Sequence, residues 1–187
     1  MCGIVGIASK SEITDNLEHL INIEQGHRGP DSQGFYKSNC KRVSLAMSRL
    51  AIIDIKNGLQ PMTLKQEKLS IVFNGEIFNA NDLKQLLINN FNEKFTSSHS
   101  DTEVILRLYK HKNIEAFKEL NGMFALIIFD ENKNQIIFAR DRFGIKPLIF
   151  KKTTNSIIIA SELQAIAKND DNLKIHDPSM YEYINFG

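Results

Sequence analysis

The stretch Met123-Phe124-Ala125-Leu126-Ile127-Ile128-Phe129 is continuously apolar, and after the polar turn Glu131-Asn132-Lys133-Asn134 a second apolar segment runs through 135–140. The first run is far too short to cross a membrane and has the length of a buried strand. With the turn between them, 123–130 and 135–140 read as a hairpin. Residues 148–152 and 156–160 read as another, around Thr153-Thr154-Asn155. Further strands are expected at 2–9, 34–37, 43–55 and 69–73, with a turn at Asn57-Gly58. Helical spacing appears in Ile13, Leu17, Leu20 and Ile21, closed by Gly26, and in Leu83, Leu86, Leu87 and Phe91. A third helix is expected to begin at Ser100-Asp101-Thr102-Glu103, with Ser100 as N-cap, Glu103 completing a capping box, and Ile105, Leu108 and Tyr109 on its apolar face. Shorter helices are expected at 161–168 and after Pro178. Strands joined as hairpins, with helices kept separate, indicate a mainly antiparallel α+β domain rather than a doubly wound parallel one.

A chain of 187 residues fits one domain with a sizeable core. Its formal net charge of +1 comes from bases interleaved with acids, so the sequence offers no field for nucleic acid. No apolar run has membrane length, and the N-terminal stretch lacks a basic leader and is broken by Gly3 and Gly6, which argues against a secretory signal. The reading is a cytoplasmic protein without a membrane partner. In a reducing compartment Cys2 and Cys40 are not expected to pair, and Cys40 reads as a structural thiol near a turn. The five histidines are scattered without metal-ligand spacing, so no metal is expected.

Cys2 carries the chemistry. Once the initiator methionine is removed, which the small Cys2 side chain permits, a thiol and a free α-amine belong to one residue. A thiol of reference pKa about 8.5 beside an amine of about 7.7–8.0 forms a nucleophile with its own base, acting directly or through one water.

Separated segments accompany it in a fixed order: Met1-Cys2-Gly3-Ile4-Val5-Gly6, His27-Arg28-Gly29-Pro30-Asp31, Ser48-Arg49-Leu50-Ala51-Ile52-Ile53-Asp54, Phe73-Asn74-Gly75-Glu76-Ile77-Phe78-Asn79 and Ser100-Asp101-Thr102-Glu103-Val104-Ile105. The order continues through Asn121-Gly122-Met123-Phe124-Ala125, through Ala139-Arg140-Asp141-Arg142-Phe143-Gly144-Ile145-Lys146-Pro147-Leu148, and through Ala160-Ser161-Glu162-Leu163. Across nearly the whole chain this pattern resembles the class II, N-terminal-nucleophile glutamine amidotransferase domain, and specifically that of glutamine-hydrolysing asparagine synthetases. The resemblance implies an N-terminal-nucleophile hydrolase fold, an αββα sandwich of two mainly antiparallel sheets between helix layers. It also implies hydrolysis of L-glutamine to glutamate and ammonia through a Cys2 thioester.

Site roles follow from the resemblance and have chemical reasons beside it. Asn74 and Gly75 would donate side-chain and backbone N–H groups to the oxyanion, although Asn-Gly alone also suits a hairpin turn. Arg49 would clamp the substrate carboxylate, its alternative being a structural ion pair. Asp101, with Glu76, would take the substrate ammonium, although an acid in a first helical turn also suits the macrodipole. Arg28 is placed among the substrate-binding residues, in a loop that shapes the pocket and where it is able to pair with Asp31. Two departures from the family pattern are Met47, where histidine is frequent, and Ser97-Ser98 at the pocket rim.

The whole of 1–187 is read as the glutaminase domain, with residues from about 176 leading into an absent synthetase domain. No Gly-x-x-x-x-Gly-Lys phosphate loop or Ser-Gly-Gly pyrophosphatase motif is present. ATP and magnesium are therefore expected only in a C-terminal or separate synthetase partner, and no cofactor in this domain. Two other readings stay open: an N-terminal-nucleophile amidase for another amide, and a catalytically silent module that binds glutamine or a partner.

Overall fold

The computed structural model describes residues 1–13, 25–50, 58–97, 99–167 and 174–186. Among the described residues nine strands fall into two sheets in which every pairing is antiparallel. The first contains β1 (Gly3–Ser9), β2 (Ser32–Lys37), β3 (Val43–Arg49), β8 (Ile149–Lys152) and β9 (Ser156–Ala160), in the order β2-β3-β1-β9-β8. The second contains β4 (Met62–Leu64), β5 (Leu69–Ile77), β6 (Gly122–Asp130) and β7 (Gln135–Arg140), in that order. Both expected hairpins form, as β6–β7 and β8–β9.

The two-residue period of a strand explains the layering. In β6, Ala125, Ile127 and Phe129 face the other sheet, where they meet Ile4, Leu45, Met47 and Ile159. Their neighbours Phe124, Leu126 and Ile128 face outward, against helices. Burial on both faces is what the unbroken apolar run records. In β1, likewise, Ile4 points into the gap between the sheets while Val5 and Ile7 point out.

The outer face of the four-stranded sheet is covered by α1 (Ala80–Phe91) and α2 (Asp101–Lys112), whose Leu83, Leu87, Ile105 and Leu108 pack on Ile71 and Phe73. A short 3-10 turn (Asn113–Glu115) and α3 (Ala116–Glu119) lead back into β6. On the far side, Ile13 and the single turn α4 (Gln164–Ala167) cover Val5, Ile7 and Ala160. Helix α5 (Asp177–Phe186) follows and buries no side chain. The result is the expected αββα arrangement.

Two local expectations need adjustment, and others lie outside the described residues. The helix assigned to Leu17, Leu20 and Ile21, the part of the 43–55 strand beyond residue 50, and Asn57 lie outside the described residues. The helix expected at 161–168 is shorter, only Gln164–Ala167 being helical among the described residues. Ser100 does stand at the N-cap of α2, but its side chain makes no capping bond. Glu103 instead accepts the N–H groups of Thr96 (2.9 Å) and Ser97 (2.8 Å), and Ser100 N–H goes to Ser97 Oγ (3.1 Å). The loop ahead of the helix offered unsatisfied donors, and a fully buried carboxylate next to Arg107 serves them while paired (2.7 Å).

The same Arg107 reaches Glu93, which also binds Lys110 (2.7 Å) and His111 (2.7 Å) and fastens the end of α1 to α2. Burial alone pushes the Glu93 carboxyl up, but hydrogen bonds from Lys110, His111 and Arg107 outweigh it and bring the pKa down to about 2 from 4.5. A depressed carboxylate adds stability above its unfolded pKa and loses it as pH falls through the folded one. Wild-type protein is therefore expected to lose unfolding free energy between pH 4.5 and about 2. Glu93→Gln is expected to be less stable at neutral pH and to show a flatter loss over that window, as read from urea midpoints at a series of pH values.

Candidate active site

Between the sheets the core closes at one end and stays open at the other. The open end is a cavity of about 310 Å3 lined by Cys2, Arg49, Asn74, Gly75, Glu76 and Asp101, among others. Strand parity brings most of them there. Cys2 continues the inward set of Ile4, Arg49 that of Leu45 and Met47, and Asn74 that of Val72. Each strand supplies apolar residues to the middle of the gap and polar ones at its end.

Cys2 is held from several sides. Its Sγ accepts the Leu50 N–H (3.4 Å) and lies 3.6 Å from the Leu50 carbonyl, just past β3. Its carbonyl accepts Arg28 Nε (3.0 Å) from the 3-10 turn Gly26–Arg28. The Arg28 guanidinium also reaches Glu162 (2.7 Å), which His27 contacts as well (3.0 Å). Burial pushes the Glu162 carboxyl up, but these two partners hold it below the usual carboxylate range. Two residues further along, Ile4 N–H donates to Ser161 Oγ (3.0 Å), and Ser161 N–H donates to the Ile4 carbonyl (3.0 Å). Arg28 does not line the cavity, and its reach is to the main chain behind the thiol.

In front of the thiol stands a donor without an acceptor. Asn74 is 2% exposed, and its Nδ2 has no hydrogen-bond partner among the described residues. Leaving a buried amide group unsatisfied costs about 1–3 kcal/mol, so such a group aimed into a cavity is a standing invitation to an oxygen. Gly75 follows it, opposite Phe124 in the β5–β6 register. A Cβ there would sit 2.1 Å from the Met123 carbonyl oxygen and 2.7 Å from Phe124 Cα. Only glycine lets β6 run this close.

Charges of both signs complete the wall. Arg49, 7% exposed, ends β3. The 27–31 loop braces that end, since Ser48 Oγ donates to the Gly29 carbonyl (2.6 Å) and Asp31 N–H to the Arg49 carbonyl (3.0 Å). A Cβ on Gly29 would fall 2.3 Å from the Ser48 oxygen, which is why the loop is so tight there. Asp101 opens α2, and its Oδ2 accepts the Ile77 N–H (2.9 Å). Burial pushes the Asp101 carboxyl up, the Ile77 hydrogen bond opposes this, and neighbouring Glu76 reinforces it. Glu76 itself stands exposed at the cavity rim. Met47, fully packed in the inter-sheet core, makes the wall beside Arg49 apolar where the family pattern often has a histidine.

Several contributors had no assigned role at the level of sequence. Gln60 ties β5 to α2, its Oε1 accepting Phe73 N–H (2.6 Å) and its Nε2 donating to Thr102 Oγ1 (3.1 Å). An isolated glutamine before a proline carries no periodic signal. Ser161 and Glu162 stood in a recognised motif, but nothing local says that they grip β1. Lys146 also lines the cavity. No group of His, Cys, Asp and Glu able to hold a metal ion occurs among the described residues.

Comparison with known proteins bears on this geometry. Residues 1–187 match the family described as the glutamine amidotransferase domain. "Asparagine synthetase [glutamine-hydrolyzing] 1" of Bacillus subtilis (strain 168) is 35% identical over 192 residues, covering 100% of this chain and 30% of the relative. "Putative asparagine synthetase [glutamine-hydrolyzing] 2" of Methanocaldococcus jannaschii is 38% identical over 185 residues, covering 89% of this chain and 35% of the relative. The chain thus spans about a third of the length of these relatives. A solved glutamine phosphoribosylpyrophosphate amidotransferase from B. subtilis superposes with a TM-score of 0.74 at 23% identity, covering 89% of this chain and 43% of that one. That likeness shows a shared fold.

The contact at Gly75 sets a test of the site's architecture. Gly75→Ala is expected to push β5 away from β6 and to lower stability by about 1–3 kcal/mol, as overpacking does. The measurement is the urea midpoint of the variant beside wild type. A midpoint equal to wild type would mean that the two strands are not this close in solution.

Proposed function

The chain belongs to the glutamine amidotransferase domain family, and from that premise we propose that it hydrolyses L-glutamine to glutamate and ammonia at Cys2. The observation that carries the reading is the pairing, in one cavity, of the Cys2 thiol with the unsatisfied Asn74 amide. With Met1 removed, the Cys2 α-amine takes the thiol proton, directly or through a water, and the sulfur attacks the glutamine side-chain carbonyl carbon. The carbonyl π pair moves onto oxygen, where Asn74 Nδ2 and the Gly75 N–H receive it. Collapse breaks the C–N bond, the protonated amine returns its proton to the leaving nitrogen, and ammonia departs. A water, deprotonated by the same amine, then attacks the thioester and releases glutamate with the thiol restored.

Binding uses the remaining charges. Arg49 holds the α-carboxylate, and Asp101 with Glu76 holds the α-ammonium. Groups of both signs in one cavity favour a free amino acid over a peptide amide, whose α-groups are uncharged. Arg28 serves the nucleophile rather than the substrate: through the Cys2 carbonyl and Glu162 it fixes where the thiol stands. The ammonia acceptor is aspartate, in a synthetase domain C-terminal to this one or on a separate chain, as the names of the relatives suggest. Residues from about 176 lead toward it, and ATP and magnesium belong to that domain, with no cofactor needed here. No helix among the described residues is long and apolar enough to cross a membrane, and the proposed site of action is the cytoplasm.

Two measurements test the reading. Protein whose intact mass shows Met1 removed is expected to hydrolyse glutamine and to be labelled at Cys2 by a glutamine-like electrophile. Cys2→Ala is expected to lose activity by at least about a thousandfold while staying folded. Processed wild-type protein that neither turns over glutamine nor reacts at Cys2 would overturn the assignment.

The second is a pH dependence. A carboxyl raised above its usual range is protonated at a higher pH than an ordinary aspartate of about 3.9, and only the ionised form attracts ammonium. KM for glutamine is therefore expected to rise on acidification, beginning above the ordinary aspartate range. Asp101→Asn is expected to raise KM throughout and to remove that dependence.

A further inference from the structure

The glutaminase reading assigns three of the cavity's charged side chains, Arg49, Asp101 and Glu76, to the two charges of glutamine's backbone and leaves a fourth unexplained. Lys146 lines the same cavity and is 9% exposed. Its main chain is well engaged: the N–H donates to Asp141 Oδ2 (3.0 Å) and the carbonyl accepts Arg140 Nε (2.7 Å). Its ammonium makes no hydrogen bond or ion pair among the described residues. A largely buried cation without a counter-ion is costly unless something arrives to meet it.

The position of Lys146 says what arrives. The Asp141 carboxylate collects the N–H groups of Phe143, Ile145 and Lys146, and through Phe124 it clips this loop to β6 (Phe124 N–H to Asp141 Oδ2, 3.2 Å; Asp141 N–H to Phe124 carbonyl, 2.8 Å). Phe124 is the residue opposite Gly75. The Lys146 main chain is therefore fixed against β6 at the residue that faces Gly75, and its side chain lines the cavity. Asp101 is anchored two residues further along β5, at Ile77, which is about 7 Å away at the rise of a strand. The Asp101 anchor and the loop that carries Lys146 thus meet the β5–β6 pair about two residues apart.

Resting on the glutaminase reading of this cavity, we propose that Lys146 is a specificity-determining residue that presents its ammonium to the reacting end of the substrate side chain. There it attracts negative charge, first as the oxyanion forms and then as the side-chain carboxylate of product glutamate. Charge accounting supports this. With glutamine bound, Arg49 and Lys146 together balance Glu76 and Asp101, but Lys146 alone has no direct partner, and hydrolysis creates one new anion at the carbon that Cys2 attacked. Product should therefore be retained more tightly than an uncharged analogue of the same length.

The test compares glutamate with norvaline, which has the same backbone charges and an uncharged side chain, as protectors of Cys2 against alkylation in the processed protein. Wild type is expected to prefer glutamate. Lys146→Met is expected to reduce that preference about tenfold with norvaline protection unchanged, and to lower kcat about tenfold with KM for glutamine held. Lys146→Arg is expected to keep both. The structural hydrogen bonds of residue 146 are main-chain bonds, so neither substitution removes them. A Lys146→Met protein that keeps the wild-type preference, or that loses glutamate and norvaline protection equally, overturns the inference while leaving the glutaminase reading intact. Wild-type protein that neither hydrolyses glutamine nor is protected by norvaline overturns the glutaminase reading itself.

Discussion

Everything at this site depends on two sheets packing face to face with strict alternation of their side chains. Inside the gap, Ile4, Leu45, Val72, Ala125 and Ile127 exclude water. The same alternation, carried one step past the apolar set, delivers Cys2, Arg49 and Asn74 to a common open end. A slip of one residue in β1, β3 or β5 would send its functional side chain to the opposite face and its apolar ones into the wrong layer. Core and site therefore fix the same register, and the stability of the sandwich is what keeps the cavity's polar groups aimed at each other.

Most polar groups around the Cys2 thiol are already satisfied, and a few are left open. Behind Cys2 most bonds are made: Arg28 meets the Cys2 carbonyl and Glu162, with only its Nη2 left without a partner among the described residues, and Ser161 exchanges hydrogen bonds with Ile4 in both directions. In front of it Asn74 Nδ2 stands without an acceptor among the described residues. Closing the first set holds the sulfur in position, and on the proposed reading leaving the second open would spare the reaction a reorganisation step when charge develops. A cavity whose donors were all satisfied internally would be more stable and would bind nothing.

Much of the scaffold was legible because it rests on local periodicity. The turn of Glu131 to Asn134 announced the β6–β7 hairpin, the run at 123–129 announced a buried strand, and the residues after Ser100 announced the start of α2. Cys2, Asn74, Gly75, Arg49, Glu76 and Asp101 could be named because they stand in ordered motifs, and the fold brings all six to one cavity. What stayed hidden is long-range. Arg28 finds Glu162 across 134 positions of chain, and Gln60 finds Phe73 and Thr102 from a loop without pattern. Glu103 fits the expected capping box by spacing, but spacing does not reveal that Thr96 and Ser97 would present unpaired N–H groups to it first. Competition among donors for one carboxylate is settled by three-dimensional proximity, which a linear pattern does not encode.

Met1 joins the chemistry to the architecture. While it is attached, the Cys2 nitrogen belongs to a peptide bond, whose lone pair is delocalised and cannot serve as a base at neutral pH. Met1 also forms part of the cavity wall, so its departure exposes the amine and widens the space in front of the thiol in one event. The rest of the site does not wait for that event. Arg28 binds the Cys2 carbonyl and Ser161 binds Ile4, both on the C-terminal side of the bond that is cut. The thiol's position is thus set by contacts that removal of Met1 leaves untouched, and on the proposed reading that removal changes only its protonation chemistry and access.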